Sequence, residues 1–311
     1  MTVQEAISPT VPRARLRYLF DREGVLGPVM LLPAVLYLAA LVGFPLVLVF
    51  LYSFSSATTG TPGVTLTGIG AYLTTLRDPV FWTSVRNTVL FTVVAQAIVV
   101  VLSTILGFIL STDFRGKWIV RFLILLPWTT PIALSALVWL WMLDSIFSPF
   151  NWILGEIGVI PHNSPVAWLG TTGLAMGSVI ALQAWRTLPL STVILMAGLT
   201  SIPGELREQA EIDGASFLRR LFDIILPLLI PIITVALLFG IVTTFTDMAV
   251  VFILTSGGPD NATQVLASWS FYTGIQGGDL ARGAAIALFM FPVLLGISIL
   301  MLRFAGRSQS G

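Results

Sequence analysis

The chain has 311 residues, of which 56% are hydrophobic and 10% are charged, and its mean hydropathy is +0.94. This composition excludes an ordinary soluble domain and predicts an integral membrane protein built as one all-α unit. The net charge of +1 does not indicate nucleic-acid binding, and the absence of Cys excludes a disulfide framework and a thiolate metal site.

The N-terminal segment is polar and carries Arg13, Arg15, Arg17 and Arg22. No clear small-residue cleavage site follows the first apolar stretch, so residues 1–23 are predicted to form a retained cytoplasmic arm. The mixture of Arg, Leu, Tyr and Phe fits a segment lying on the lipid surface, and it fits a frayed end equally well.

Six apolar windows follow the arm and predict six transmembrane helices within residues 24–304, with a cytoplasmic tail over residues 305–311. Each window is long enough for a hydrocarbon layer of about 30 Å at a rise of about 1.5 Å per residue. The predicted spans lie within residues 24–54, 87–112, 122–143, 173–200, 224–254 and 283–302.

Prolines recur inside these spans, and each one removes a backbone donor and tends to kink its helix. They are Pro33, Pro45, Pro127, Pro131, Pro189, Pro231 and Pro292. Kinked helices suit a protein that opens and closes, but membrane helices also tolerate proline without such a role. The sequence leaves both explanations open.

Lys and Arg residues predict the orientation, because cytoplasmic loops carry the excess of these residues. If both ends of the chain, residues 113–121 and residues 201–223 share one side, that side holds most of the basic residues. The other side then holds Arg77, Arg86 and Arg282. Both termini are therefore predicted to be cytoplasmic.

A dense polar segment, "REQAEIDGASFLRRLFDIILP" at residues 207–227, interrupts the apolar chain on the cytoplasmic side. Its first part predicts a short helix, followed by Gly214 in the left-handed conformation. Ser216 can then cap a second helix, whose apolar positions follow helical spacing. On these grounds alone the segment is either a solvated connecting loop or a docking element.

This segment resembles the EAA loop of the transmembrane subunits of bacterial ABC importers. The pattern is Glu-Ala-Ala, three residues, Gly, nine residues, Ile, one residue and Leu-Pro. Its matches here are Glu208-Gln209-Ala210, Gly214, Ile224 and Leu226-Pro227. The single departure is Gln209, which stands where the pattern has its first Ala.

Other stretches strengthen the resemblance to carbohydrate permeases of the maltose, lactose or glycerol-phosphate type. They are "LTSIPGELREQAEIDGA", "LLPWTTP", "WRTLP" and "LTSGGP", and the last is similar to the first of the two permease subunits. The resemblance implies the six-helix permease fold of a type I ABC importer, with a coupling loop at residues 201–227.

The resemblance also implies a role for the coupling loop. Glu208 and Asp213 would help to hold it in a groove of a separate cytoplasmic ATPase. Ala210 belongs to the same set, and Gly214 and Ala215 would allow close approach. Closure of the ATPase dimer would then drive the helices between inward-facing and outward-facing states.

The implied partners are a second homologous permease subunit, two ATP-binding cassette subunits and an extracytoplasmic solute-binding protein. The implied cargo is a carbohydrate, and the implied location is the bacterial plasma membrane, in contact with lipid. ATP and Mg would bind to the partner ATPase, so no cofactor, metal or nucleic acid is expected on this chain.

The sequence contains no catalytic constellation. A phosphate-binding loop needs Gly-x-x-x-x-Gly-Lys-Ser/Thr, whereas the only Gly-Lys pair, Gly116-Lys117, is followed by Trp118 and lacks the upstream glycine. The single histidine, His162, lies in a polar loop and fits no zinc motif. The chain is therefore predicted not to be an enzyme.

Two ionisable residues stand out inside the predicted spans, Arg186 in the fourth and Asp247 in the fifth. Charged groups inside a membrane are costly and indicate functional sites. Gln183 and Thr187 lie near Arg186, and Thr244 lies three residues before Asp247 on the same helix face. Such donors and acceptors suit a substrate rich in hydroxyl groups.

Trp128 offers an aromatic face on which a sugar could stack. The resemblance places a set of residues where the maltose-type family contacts sugar, namely Trp128, Gln183, Arg186, Thr187, Gly240, Thr244 and Asp247. Most identities differ, so the pocket can be shared while the sugar is not. The alternatives are an Arg186–Asp247 ion pair with a purely structural role, and packing or interface roles for Trp128 and Trp139.

Two other functions remain possible from the sequence. The same machine could import glycerol phosphate or another polyol phosphate, because Arg186 would suit an anion. A proton-coupled secondary transporter is the alternative from another class, although it needs titratable groups within the spans and often has internal repeats. Asp247 is the one carboxylate well inside a span, and no internal repeat is evident.

Overall fold

The computed structural model is nearly all-helical, which confirms the predicted fold class. It describes residues 23–60, 64–161 and 163–307. Most of the N-terminal arm, His162 and the end of the C-terminal tail lie outside the described residues.

The chain forms two units, residues 1–51 and 52–311. The helices of the described residues are α1 (Glu23–Leu38), α2 (Phe44–Ser53), α3 (Gly70–Arg77), α4 (Pro79–Ser111), α5 (Lys117–Thr129), α6 (Ile132–Met142), α7 (Pro149–Glu156), α8 (Thr172–Ser201), α9 (Gly204–Ile212), α10 (Phe217–Arg220), α11 (Leu226–Phe245), α12 (Ala249–Leu254), α13 (Leu266–Phe271) and α14 (Leu280–Arg307). The first unit contains α1 and most of α2, and the second contains the other helices.

Five helical stretches of the described chain are long and apolar enough to cross a membrane, and a sixth results if α5 and α6 form one broken span. The protein is therefore a multi-pass membrane protein. Four of the six predicted spans are continuous helical stretches, namely the first, second, fourth and sixth. The third and fifth differ from the prediction.

The predicted third span, residues 122–143, is not one straight helix. Its halves, α5 and α6, meet at an angle of 100°. Thr130 precedes Pro131 and takes an extended conformation with ψ of 136°, as expected for a residue before proline. The Thr130 hydroxyl donates to the Pro127 carbonyl at 3.0 Å and accepts from the Ser135 hydroxyl at 2.8 Å. These bonds stabilise the bend at Pro131.

The predicted fifth span does not continue as one helix to Leu254. α11 ends at Phe245, and the chain starts α12 at Ala249. The physical reason is the side chain of Asp247, whose Oδ1 accepts a bond from the Val250 N–H at 3.0 Å. Asp247 lies one residue before Met248, the N-cap of α12. Its bond satisfies a free N–H in the first turn of α12 and competes with continuation of α11.

Most of the other prolines cause no break, and two are preceded by a local widening of the helix. π-turns at Ala39–Gly43 and Leu221–Ile225 end two residues before Pro45 and Pro227, respectively. Proline lacks the N–H that would continue the hydrogen-bond ladder, so a π-turn is a physically reasonable accommodation. The second π-turn joins α10 to α11, and the resulting helix runs over Leu218–Phe245.

α8 is the central helix of the second unit. It packs against α4, α5, α11 and α12, and more than half of its apolar span is buried. Where α8 crosses α11, Gly198 faces Ile232 and Leu229. A glycine at this point allows the two helices to approach closely.

Asp78 joins three helices near one end of the second unit. Its Oδ1 accepts from the Val80 N–H at 2.9 Å and caps α4. Its Oδ2 accepts from Trp269 Nε1 of α13 at 3.2 Å and forms an ion pair with Arg282 of α14. Arg282, assigned by the sequence to the outer side, is thus a helix-pairing residue.

We expect Gly198→Ala to destabilise the protein by about 1–3 kcal/mol, because overpacking a tight helix crossing forces side chains to move. The new Cβ would lie 2.6 Å from Ile232 Cδ1 and 3.0 Å from its Cγ2. Thermal unfolding in detergent measures the change. Gly177→Ala is the matched control on the same helix, because its Cβ would meet nothing within 4 Å. Equal effects of the two substitutions would contradict the crossing.

Candidate functional site

The two ionisable residues singled out inside the spans contact each other. Arg186 of α8 forms an ion pair with Asp247 through its Nη2 and the carboxylate Oδ2. The Asp247 side chain is only 7% exposed and that of Arg186 22%. Because a charge buried in a membrane is costly alone, each group stabilises the other.

Asp247 performs two tasks with its two oxygens. Oδ2 binds Arg186, while Oδ1 accepts from the Val250 N–H in the first turn of α12. The same carboxylate therefore holds α8 against the α11–α12 break and determines where α12 begins. This position explains why the charged residue lies between two helices rather than within one.

A buried hydrogen-bond chain extends from the ion pair to a third helix. Arg186 Nη2 donates to Gln183 Oε1 at 3.1 Å, and Gln183 Nε2 donates to Thr244 Oγ1 at 3.0 Å. Gln96 Nε2 of α4 donates to the same Thr244 oxygen at 2.8 Å. Gln183 and Thr244 are fully buried and Gln96 is 2% exposed. The chain of bonds thus links α4, α8 and α11 in the interior of the second unit.

Gly240 makes room for this arrangement. A Cβ added at Gly240 would lie 2.0 Å from Gln96 Oε1 and 2.7 Å from its Cδ. The missing side chain therefore lets the Gln96 amide lie against α11, within reach of Thr244 one turn further on. A larger residue at this position would displace the amide.

A cavity of about 570 Å³ opens beside the ion pair. Its lining residues are Trp128, Arg186, Thr187, Thr243, Thr246, Asp247, Met248 and Ala249. Trp128 reaches it from the end of α5, just before the bend at Pro131, so the broken third span positions the indole. The volume is within the usual range for small-molecule sites, about 300–1,000 Å³.

The structure brings four of the seven predicted pathway residues to the cavity wall and places three behind it. Trp128, Arg186, Thr187 and Asp247 line the cavity. Gln183, Gly240 and Thr244 form the buried layer that supports the ion pair. Their role in contacting substrate remains a prediction. Trp139 instead packs against the hydrophobic core, with its ring 5.9 Å from that of Trp185.

Gln96 is the site residue that sequence reasoning missed. It lies in the middle of an otherwise apolar predicted span, in "VAQAI". Its uncharged amide did not stand out among the ionisable groups, although a polar side chain at membrane depth needs a partner as a charge does. Thr243, Thr246 and Met248 were also missed. Thr243 lies in the last turn of α11, and Thr246 and Met248 lie in the break after Phe245, which the sequence did not predict.

The segment with the EAA pattern has the predicted helix–turn–helix form. α9 covers Gly204–Ile212, and Gly214 has φ of +73°, so its predicted left-handed conformation is confirmed. The Ser216 hydroxyl accepts from the Arg219 N–H at 3.4 Å at the start of α10. Of the predicted coupling residues, Ala210 is buried, Ala215 is partly buried, and Asp213 and Gly214 are exposed.

This segment also exposes large apolar side chains. Ile212 is 85% exposed, Leu218 62% and Phe222 61%. The side chain of Glu208 lies outside the described part of the structure. Leu218 and Phe222 belong to the apolar stretch Leu218–Phe245, where lipid can cover them, whereas Ile212 lies outside the apolar stretches. An exposed apolar side chain at the position of Ile212 is available to a docking partner.

Comparisons with known proteins agree with these features. The model of the family described as "Binding-protein-dependent transport system inner membrane component" matches residues 100–309. The trehalose/maltose transport system permease protein MalF of Thermococcus litoralis is 34% identical over 291 residues, covering 93% of this chain and 96% of that protein. The sulfoquinovosyl glycerol transport system permease protein SmoG of Agrobacterium fabrum is 30% identical, covering 92% of each chain.

Among solved structures, one chain of a bacterial ABC transporter involved in the import of the acidic polysaccharide alginate has a similar fold. The TM-score is 0.79 at 20% sequence identity, and the match covers 94% of this chain and 99% of that chain. At this identity the similarity shows the fold alone.

We expect Gly240→Ala to destabilise the protein by about 1–3 kcal/mol, because the displaced Gln96 amide loses its partner while it remains buried. Thermal unfolding in detergent measures the loss. In a Gln96→Ala background the same substitution should cost far less, because the clashing amide is gone. A double-mutant cycle tests this coupling, and additive effects would show that Gly240 does not act through Gln96.

Proposed function

The chain belongs to the family of inner membrane components of binding-protein-dependent transport systems, and we propose that it is a transmembrane subunit of an ATP-driven sugar importer. The observation that carries the proposal is the cavity between the broken spans. It presents an indole, an ion pair and several threonine hydroxyls. The relatives named as permease proteins of trehalose/maltose and sulfoquinovosyl glycerol transport systems agree with a carbohydrate cargo.

The chemistry of the cavity suits a sugar. Each hydroxyl group taken out of water must regain hydrogen bonds or lose several kcal/mol. Arg186 offers donors and Asp247 offers acceptors. The hydroxyls of Thr187, Thr243 and Thr246 donate to carbonyls of their own helices and offer oxygen acceptors to a sugar. The Trp128 indole, which is 47% exposed, provides an apolar face for the C–H side of a pyranose ring.

In this proposal the chain supplies half of the translocation pathway, and a second homologous permease supplies the other half. A solute-binding protein delivers the sugar on the outer side. Both termini and the coupling segment, residues 201–227, face the cytoplasm. The excess of Lys and Arg on that side supports this orientation.

ATP hydrolysis belongs to separate cytoplasmic subunits, which bind ATP and Mg, and this chain has no cofactor of its own. In this proposal the exposed Ile212 and Asp213 belong to the docking surface, together with Glu208, as the EAA pattern implies. Because α10, the π-turn and α11 form one helical stretch, motion of the docked segment would be passed directly to the cavity. This physical continuity supports mechanical coupling.

The decisive experiment is uptake of labelled sugars into proteoliposomes that contain this chain, its second permease, its ATPase subunits and its binding protein. Uptake should require ATP on the side of the membrane that carries the ATPase subunits, opposite the binding protein. A proton gradient without ATP should not drive uptake. A panel of sugars presented to the binding protein identifies the cargo. Uptake driven by the gradient without ATP would overturn the proposal in favour of a secondary transporter.

We expect Gly214→Val to uncouple ATP hydrolysis from uptake. A β-branched residue is disfavoured at φ of +73°, by about 1–2 kcal/mol, so the turn between α9 and α10 should change shape. Gly214→Asn should retain most of the uptake, because Asn tolerates this conformation. ATPase activity and uptake are measured on the same proteoliposomes.

Gly204→Val is the control for the added bulk. It lies in the same segment, without a positive φ, and a Cβ there would meet nothing within 4 Å. Wild-type uptake by the Gly214→Val variant would show that the turn conformation is not needed for coupling.

A further inference from the structure

The charges in the cavity are balanced. Among the lining residues that the structure describes, Arg186 and Asp247 are the charged ones, and they are bonded to each other. Both carboxylate oxygens are engaged, one by Arg186 and the other by the Val250 N–H. The guanidinium also donates to Gln183. The cavity therefore presents polar atoms but no unpaired charge.

We propose that this ion pair selects uncharged sugars over acidic ones, and that Asp247 is the residue that sets the selectivity. The inference rests on the proposed sugar-import function and adds the charge of the cargo. It also excludes polyol phosphates, the alternative cargo that Arg186 by itself would suit.

The physical reason is the cost of placing a second negative charge beside Asp247. An acidic sugar entering the cavity would lose its hydration and meet a guanidinium that is already neutralised. To bind Arg186 it would have to displace Asp247, leaving a carboxylate unpaired at a position that is 7% exposed. A neutral sugar can accept from Arg186 and donate to Asp247 without breaking the pair.

Family membership leaves this question open. The similar proteins include a permease named for trehalose and maltose and a transporter for an acidic polysaccharide. The fold therefore does not decide the charge of the cargo, and the residues of each cavity must do so.

Asp247→Asn removes the negative charge of residue 247 and keeps a side chain of nearly the same size and shape. Asn keeps an oxygen that can accept from the Val250 N–H in the first turn of α12, so the break after α11 should persist. Arg186 then has no carboxylate partner, and the cavity gains one net positive charge. This variant should attract anions that the wild type rejects.

The test uses the absence of Cys in this chain. Thr246→Cys places a thiol in the cavity wall next to Asp247. The rate at which this thiol reacts is measured in the assembled importer with two reagents. One is the neutral hydroxyethyl methanethiosulfonate, and the other is the negatively charged sulfonatoethyl methanethiosulfonate. The ratio of the two rates reports the local electrostatic potential. Asp247→Asn should raise the anionic-to-neutral ratio about tenfold or more, and Arg186→Gln combined with Asp247→Asn should return it to the starting value.

Asp113→Asn is the matched control, because it removes a fully exposed carboxylate that pairs with Lys117, outside the residues that line the cavity, and should leave the ratio unchanged. If neither reagent reacts with the thiol, the cavity is not water-accessible, and the proposed pathway itself fails. If both react and Asp247→Asn does not change the ratio, the pathway stands and the charge-selection proposal is overturned.

A second measurement does not depend on any variant folding. The wild-type importer, with its binding protein, is offered neutral glucose oligosaccharides and uronate oligosaccharides of equal length. ATP-driven uptake of the neutral series alone is the expected result. Comparable uptake of the uronate series would overturn charge selection, whereas ATP-driven uptake of neither series would count against the sugar-import function.

Discussion

The ion pair between Arg186 and Asp247 is the contact around which the second unit is organised. Two charges at membrane depth are tolerable only together, so α8 must be in register with the break after α11. The buried amides of Gln183 and Gln96 extend the requirement to α4, because each must also find a partner away from water. This chain of polar contacts thus aligns α4, α8 and α11, and directional bonds fix a register that apolar packing alone leaves largely non-directional.

The same constraint creates the cavity. The fifth span is interrupted where Asp247 bonds to the first turn of α12, and the third is interrupted at Pro131, so Trp128 and the threonines near residue 246 face a common space. Irregular backbone inside a membrane is acceptable where it is buried in protein or lines a polar cavity. The helix breaks therefore position the polar residues of the cavity, and the polar cavity makes the irregular backbone at the breaks acceptable.

The coupling segment and the cavity are linked through one element. The helix over Leu218–Phe245 has 28 residues and spans about 42 Å at about 1.5 Å per residue. It begins with the exposed Leu218 and Phe222 and ends two residues before Asp247. A long helix transmits a displacement better than a chain of flexible loops, and the close crossing at Gly198 connects that displacement to α8.

Composition and pattern were sufficient to predict an all-helical membrane protein, the positions of its spans and the turn at Gly214, because burial in lipid and positive φ leave few solutions to a local sequence. The residue types at Arg186 and Asp247 also drew attention to the site, since charge inside a span is conspicuous. The bend of 100° at Pro131, the end of α11 at Phe245 and the part played by Gln96 depended on the packed structure. Each involves a choice between local alternatives, such as a kinked or broken helix or a capped or continued one. Local bonds complete the two breaks, from Ser135 to Thr130 and from Val250 to Asp247. The partners of Asp247 and Gln96, in contrast, lie 61 and 148 positions away, and no short window of sequence contains both members of those pairs.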